Sequence, residues 1–354
     1  MEPIRITRAT TLKKRPKDSD LGFGKVFTDH MFVMDFQEEK GWYDPRVEPY
    51  APFSLDPAAA VLHYAQSAFD GLKAFRGRDR RVRLFRPQKH LERMNTSAKR
   101  MCIPPLDPDL ALKSLVTLVG IDRDWVPASV GHALYVRPTI VASEPFLGVR
   151  PAHSYIYFVI LSPVGAYYPE GMNPVKILVV DTYVRAVEGG VGAVKTAGNY
   201  AASLLAAEEA KHAGYTQVLW LDGVHRKYLD EVGTMNIMVK IGDEIITPPL
   251  TGAILPGVTR DSALTLMREW GLRVSERQIS IDEVREAAHR GTLDEVWGTG
   301  TAAVISPVGE LAYKGERIAI HGGRIGGLTQ RLYDAIVAIQ YATAPDTRGW
   351  TVDV

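Results

Sequence analysis

The stretch GGVGAVKTAGNYAASLLAAEEA, residues 189–210, sets Lys195 among glycines, alanines and valines. Most lysines are solvated surface groups. Here the preceding VGAV offers no long side chain to shield or pair the amine, and the following TAGN lets the backbone pass closely before a helix begins. Desolvation penalises the charged form of such a lysine. A neutral amine is a nucleophile toward an aldehyde, and the aldehyde that suits it is pyridoxal phosphate, held as a Schiff base.

That cofactor makes further demands. A carboxylate should face its ring nitrogen, so that the ring can accept electrons. Its phenolic oxygen wants a donor, and its phosphate wants amides at a helix start with a hydroxyl or an arginine. The chain offers a residue for each. Glu231 lies in LDEVGTMN between two strand-like runs, where an acidic residue is otherwise poorly placed. Tyr200 begins the helix after the lysine. ILPGVTRDSA (254–263) carries a Pro-Gly turn into a helix whose first amides belong to Val258 and Thr259. GTGTAAV (298–304) is a second Gly/Thr loop. Taken singly, Glu231 reads equally well as a solvated edge residue, Tyr200 as a packed aromatic and GTGTA as a turn; a lone G-x-G is weak evidence for a nucleotide.

Working outward, VKILVVD (175–181) and TQVLWLD (216–222) read as strands around an Ala-rich helix over 199–214 that stops at Gly214. The Asp222-Gly223 pair reads as a turn. KYLDEV, MNIMVKIG and EIITPP continue as short strands. TRDSALTLMREWG reads as a helix ending at Gly271, and Ser280 and Glu283 stand at capping-box spacing. GLTQRLYDAIVAIQYA reads as a final helix. In the first half, VRLFR (82–86), HALYVRPTIVA (132–142) and SYIYFVILSPV (154–164) read as strands. Residues 87–101 read as a helix with Pro87 at its start and Leu91, Met94, Ala98 and Met101 on one face, and DPDLALKSLVTLVGI reads as another. GAYYPEGMNP (165–174), with its glycine and proline breaks, reads as a linker. The expectation is mixed α/β in two domains, 1–164 and 175–354, the second carrying the lysine.

The chain has 354 residues, 46% hydrophobic and 23% charged, which suits a globular enzyme. With 42 Lys+Arg against 41 Asp+Glu the net charge is +1, so nothing electrostatic favours nucleic acid or an anionic membrane as partner. Cys102 is the single cysteine, which rules out an internal disulfide and suits a reducing, cytoplasmic setting. The polar, basic start MEPIRITRATTLKKRPKDSD lacks the apolar core of a secretory signal. No apolar run approaches the roughly 20 residues of a membrane span, and no metal site is expected.

Taken together, GGVGAVKTAGNYA, QVLWLDG, EVGTMNIMV, TPPLTGAILPGVTR and GTGTAAVISPVG resemble the branched-chain amino acid aminotransferases, of the fold-type IV (D-amino acid aminotransferase-like) group of pyridoxal phosphate enzymes. FGKVFTDHMF, HYAQSAFDGLKAFRG, VRLFRP, LYVRP, EPFLGVR and SPVGAYYP match the same family in the same order, so the resemblance covers nearly the whole chain. It implies Lys195 as the Schiff-base lysine, Tyr200 at the phenolic oxygen and Glu231 at the pyridine nitrogen. It implies a phosphate site of Val258, Thr259, Thr301 and Arg93; periodicity alone does not select Arg93 over Arg86 or Arg100. For substrate it implies Phe23, Tyr64, Phe69, Tyr135, Arg137, Tyr167 and Thr234. The backbone of Ala302 and Ala303 would meet the α-carboxylate. Leu147 and Val149 would be lent to a neighbouring subunit, hence a homodimer. Mammalian members carry Cys-x-x-Cys after the GTA segment; here the stretch is AAVIS, so that redox control is not expected.

The implied reaction moves the amino group of leucine, isoleucine or valine to 2-oxoglutarate in two half-reactions. One pocket must then accept both an isobutyl group and a carboxylate, and an apolar wall penalises a carboxylate without partners. Arg137, Tyr64 and Tyr135 are the candidates to satisfy it. A D-amino acid aminotransferase or an aminodeoxychorismate lyase would keep the lysine and glutamate but should lack this length and the aromatic motifs of the first half. A non-catalytic scaffold would need damage at Lys195 or Glu231, and neither is damaged. A nucleotide-binding dehydrogenase built on GTGTA lacks the third glycine and the following βαβ unit.

Overall fold

The computed structural model describes residues 2–165 and 172–354. Most of the expected linker, with Tyr167, lies outside the described residues. By contacts the chain divides into two units: Met1–Tyr167 with Val194–Gly198 and Ala338–Val354, and Tyr168–Ala193 with Asn199–Val337. The division differs from the stretches expected along the chain. The lysine segment and the C-terminus both group with the first unit, because their backbone partners lie there: Phe69 N–H donates to Lys195 O (3.0 Å), and Arg86 N–H to Trp350 O.

The first unit holds β1 (Arg5–Ile6), β2 (His30–Gln37), β3 (Gly41–Pro49), α1 (Ala60–Tyr64), β4 (Ser67–Phe69), β5 (Leu72–Arg76), β6 (Val82–Phe85), α2 (Pro87–Arg100), α3 (Pro108–Ile121), β7 (Ala133–Ala142) and β8 (Ser154–Val164). One sheet runs β1-β3-β2-β8-β7-β5-β6 and ends on the C-terminal strand Thr351–Asp353, with β4 beside β7. Pro87 and Pro108 open α2 and α3, where a missing N–H costs nothing. Asp107 caps α3 by accepting from Leu110 N–H at 2.8 Å. Leu91, Met94 and Ala98 of α2 join Leu115 and Leu118 of α3 and Leu134, Val136 and Ile140 of β7 in one buried cluster. Strand alternation then turns Tyr135, Arg137 and Thr139 to the other face of β7.

The second unit holds β9 (Val175–Val180), α5 (Leu204–His212), β10 (Gln217–Leu221), β11 (Leu229–Val232), β12 (Met235–Ile241), β13 (Glu244–Thr247), α6 (Val258–Glu269), β14 (Arg273–Glu276), α7 (Ile281–His289), β15 (Leu293–Gly300), β16 (Val304–Tyr313) and β17 (Glu316–Ala319). The short α4 (Ala197–Ala201) leads into it from the lysine segment, and most of α8 (Gly327–Gln340) belongs to it. The sheet order is β11-β10-β9-β16-β15-β12-β13-β14, and β11 also pairs with β12, closing six strands into a ring.

Two expectations are corrected. The Ala-rich helix over 199–214 is broken into α4 and α5. Ser203 Oγ and its N–H both donate to the Tyr200 carbonyl, which tightens the chain there into a turn. The Asp222-Gly223 turn is a longer loop, in which the Asp222 carboxylate accepts the N–H groups of Val224, His225, Lys227 and Tyr228. The capping box is half formed: Ser280 accepts from Glu283 N–H, while the Glu283 carboxylate pairs with Arg277 instead.

Candidate active site

In the first unit, sheet register gathers the aromatic residues. Phe69 lies opposite Thr139, and Lys73 opposite Tyr135, so Phe69, Tyr135 and Arg137 share one face. Arg137 lies over the rings of both Phe69 (4.9 Å) and Tyr135 (5.2 Å) and donates to the Tyr135 hydroxyl at 3.1 Å. Its Nε is buried without a hydrogen-bond partner among the described residues. Phe23 meets Tyr135 edge-on at 5.1 Å. Lys195 Nζ lies over Phe69, 5.0 Å from the ring centre. A Cβ on Gly71 would fall 1.8 Å from the Tyr135 hydroxyl, so only glycine lets that phenol reach its place.

Lys195 sits in irregular backbone held at both ends of its peptide: its N–H donates to Ser97 Oγ at 2.9 Å, and its carbonyl accepts from Phe69 N–H. Burial lowers its pKa to about 8, and the cations Arg93 and Arg137 act in the same direction. Arg93 projects from α2 onto Asp70, to which its Nε and Nη2 donate at 2.9 and 2.8 Å. Burial alone would raise Asp70, but Arg93 and His90 more than offset it and hold the carboxyl well below the usual range.

Tyr64 stands apart. It is 39% exposed, and its hydroxyl donates to the Leu147 carbonyl at 2.5 Å rather than joining Tyr135 and Arg137. Leu147 and Val149 are 65% and 88% exposed.

In the second unit, Glu231 is buried on β11. Its Oε1 accepts from Leu255 N–H (2.9 Å) and Asn236 Nδ2 (3.3 Å), and its Oε2 lies 3.3 Å from Arg185 Nε. Asn236 faces Glu231 across β11–β12 and Thr299 across β12–β15, so the three form one row. A Cβ on Gly257 would fall 1.9 Å from Asn236 Oδ1, so the start of α6 is pressed onto this row, bringing Val258 and Thr259 with it. The same register puts exposed Thr234, in the β11–β12 turn, at one sheet end with half-buried Thr301, Ala302 and Ala303 of the β15–β16 turn. Tyr200 is half-buried on α4. Sequence reasoning missed Asp70, His90, Ser97, Gly71, Arg185 and Asn236. Asp70 and Gly71 lie inside the quoted HYAQSAFDGLKAFRG and Asn236 inside EVGTMNIMV, whereas His90, Ser97 and Arg185 lie outside every quoted motif. Among the described residues, no cluster of His, Cys, Asp or Glu could hold a metal ion, and no helix is long and apolar enough to cross a membrane.

The amino-transferase class IV pattern matches residues 67–311. Branched-chain-amino-acid aminotransferase 2 of Bacillus subtilis (strain 168) is 54% identical over 353 residues, covering 100% of this chain and 97% of the relative. Among solved structures, the Escherichia coli branched-chain amino acid aminotransferase superposes with a TM-score of 0.77 at 26% identity, over 91% of this chain and 98% of that one. The T.th. branched-chain amino acid aminotransferase complexed with N-(5'-phosphopyridoxyl)-L-glutamate shares the fold, with a TM-score of 0.73 at 23% identity over 90% and 97%.

Proposed function

Because this chain belongs to the class IV aminotransferases, we propose that it is a branched-chain-amino-acid aminotransferase that uses pyridoxal phosphate, exchanging amino groups between leucine, isoleucine or valine and 2-oxoglutarate. The observation that carries this reading is the Lys195 amine, lowered to about 8 and standing over Phe69 beside Arg137 and Tyr135. An amine, an apolar wall and one cation are what an enzyme needs if it must take both an isobutyl group and a carboxylate.

The donor set fits the cofactor. A partly desolvated lysine, an arginine fixed by a carboxylate, a buried glutamate and a helix start are all present. When bound, pyridoxal phosphate supplies an aldehyde for the lysine and a ring that accepts electrons from the substrate's Cα–H bond. Lys195 Nζ would then take the proton from the substrate's Cα and deliver it to the cofactor's C4′, acting first as general base and then as general acid. Glu231, oriented by Asn236, Leu255 N–H and Arg185, would keep a proton on the ring nitrogen. Tyr200 would donate to the phenolic oxygen. The amides of Val258 and Thr259, Thr301 Oγ1 and Arg93 would hold the phosphate. The backbone of Ala302 and Ala303 holds the α-carboxylate, Phe23 and Phe69 line the side-chain pocket, and Tyr167 and Thr234 complete the substrate set.

Arg137 and the Tyr135 hydroxyl are assigned to the second carboxylate of 2-oxoglutarate; the Tyr64 hydroxyl is already engaged by Leu147. Leu147 and Val149, both exposed, are assigned to a neighbouring copy in a homodimer, and the enzyme to the cytoplasm. The test offers the purified chain L-leucine or D-alanine with 2-oxoglutarate. Glutamate should form from leucine and not from D-alanine. Arg137→Met should keep the leucine half-reaction while slowing that of glutamate by about tenfold or more, the loss expected for a buried carboxylate deprived of its charged partner. Equal losses for both amino acids would remove Arg137 from this role.

A further inference from the structure

Asp70 lies between β4 and β5 and is fully buried. Each of its oxygens is engaged. Oδ1 accepts from Gly71 N–H (2.7 Å), His90 Nδ1 (2.7 Å) and Arg93 Nη2 (2.8 Å), and Oδ2 accepts from Arg93 Nε (2.9 Å). The two arginine bonds form a side-on fork. A fork fixes the guanidinium plane and with it the direction in which the Nη1 edge points. His90 and Arg93 stand three apart on α2, so one helix face presents both to the same carboxylate. One turn further along, Ser97 Oγ donates to the Arg93 carbonyl at 3.0 Å and accepts Lys195 N–H. The arginine and the lysine are thus set in one frame.

We propose that Asp70 is a positioning residue, which holds Arg93 in the single orientation that binds the cofactor's phosphate. The inference rests on the reading that this chain binds pyridoxal phosphate. A pure charge effect has the opposite sign: removing a negative group near the phosphate would tighten binding, whereas loss of positioning weakens it.

The full chain, stripped of cofactor, is titrated calorimetrically with pyridoxal phosphate and separately with pyridoxal, which lacks the phosphate. Asp70→Asn should raise Kd for pyridoxal phosphate by about tenfold or more, with pyridoxal changed by less than about twofold; comparable losses follow when the groups orienting a ligand-binding residue are removed. Asp70→Glu should recover part of the loss. Arg93→Gln should reproduce the pattern, and the double variant should add little to it, because the two residues act through one interaction. Unchanged or tighter pyridoxal phosphate binding in Asp70→Asn overturns the proposal, as does an equal loss for both ligands, which would mark a structural role. If Asp70→Asn does not fold, His90→Asn decides. It removes one support of Asp70 without stranding a charge, and it should give a smaller loss confined to pyridoxal phosphate; no loss, or an equal loss, overturns the proposal. A wild-type chain that binds neither compound would instead overturn the cofactor reading itself.

Discussion

At the scale of single residues, Lys195 carries a cost in stability. Burial lowers its pKa to about 8 in the fold, against the 10.5 of an ordinary exposed lysine. The unfolded chain therefore holds more protons between those values, and stability rises with pH across that window. Below pH 8 the penalty is fully present; it fades as the pH climbs to 10.5. Lys195→Met in the cofactor-free protein should thus gain about 1–3 kcal/mol at pH 7 in denaturant melts, the gain shrinking toward pH 10.5. Comparing the two proteins isolates Lys195 from Lys73, which burial also lowers to about 8. A gain independent of pH would show that burial of the charge is not the cause. Neighbours on one strand differ as much. Glu231 accepts from Asn236 and Leu255 and faces Arg185, while Asp230, on the other face of β11, has a buried oxygen without a hydrogen-bond partner among the described residues and is pushed up to about 7 by burial. The LDEV sequence places both acids in a strand; only the pairing of β11 with β12 says which one meets Asn236.

At the scale of elements, much was legible. Proline starts, capping residues and periodicity located α2, α3, α6 and α7, because these signals act within a few residues of the backbone they shape. The break between α4 and α5 was not legible, since alanine-rich sequence favours a continuous helix and the Ser203–Tyr200 turn competes with it. The loop before β11 is the clearest case of a local device with a distant effect. The Asp222 carboxylate gathers four backbone N–H groups and so sets where β11, and with it Glu231, begins. Burial raises its pKa, but those donors outweigh burial and the net shift is downward. Its contribution is present above the ordinary carboxylate pKa and is lost as the pH falls through the depressed one. Asp222→Ala should cost about 2 kcal/mol near neutrality, the size expected for hydrogen bonds to a charged group. The difference from wild type should narrow in acid; a constant difference from pH 7 to pH 3 would argue against the carboxylate as its source.

At the scale of the whole molecule, the exposed EPFLGVR loop bears on assembly. Large apolar side chains at 65% and 88% exposure, Leu147 and Val149, are the kind of surface a partner covers. Sedimentation should report twice the 39.1 kDa chain mass, and Val149→Asp should shift the population toward single chains while lowering leucine turnover. A variant that stays dimeric with normal turnover would remove this loop from the interface.

Read in one dimension, the chain already gave away its family, its mixed α/β class and most element positions, and it nominated Lys195, Glu231 and the helix start at Val258 as candidates, because long motifs and local backbone signals need no tertiary context. Tertiary structure alone decided that Asp70 and His90 grip Arg93, that Ser97 holds the lysine peptide, that Arg185 and Asn236 flank Glu231, and that Tyr64 turns to Leu147. Each of those is a contact between residues distant in the chain, or a choice between two faces of one element. Neither composition nor periodicity encodes such a contact; strand register and helix packing set the distance.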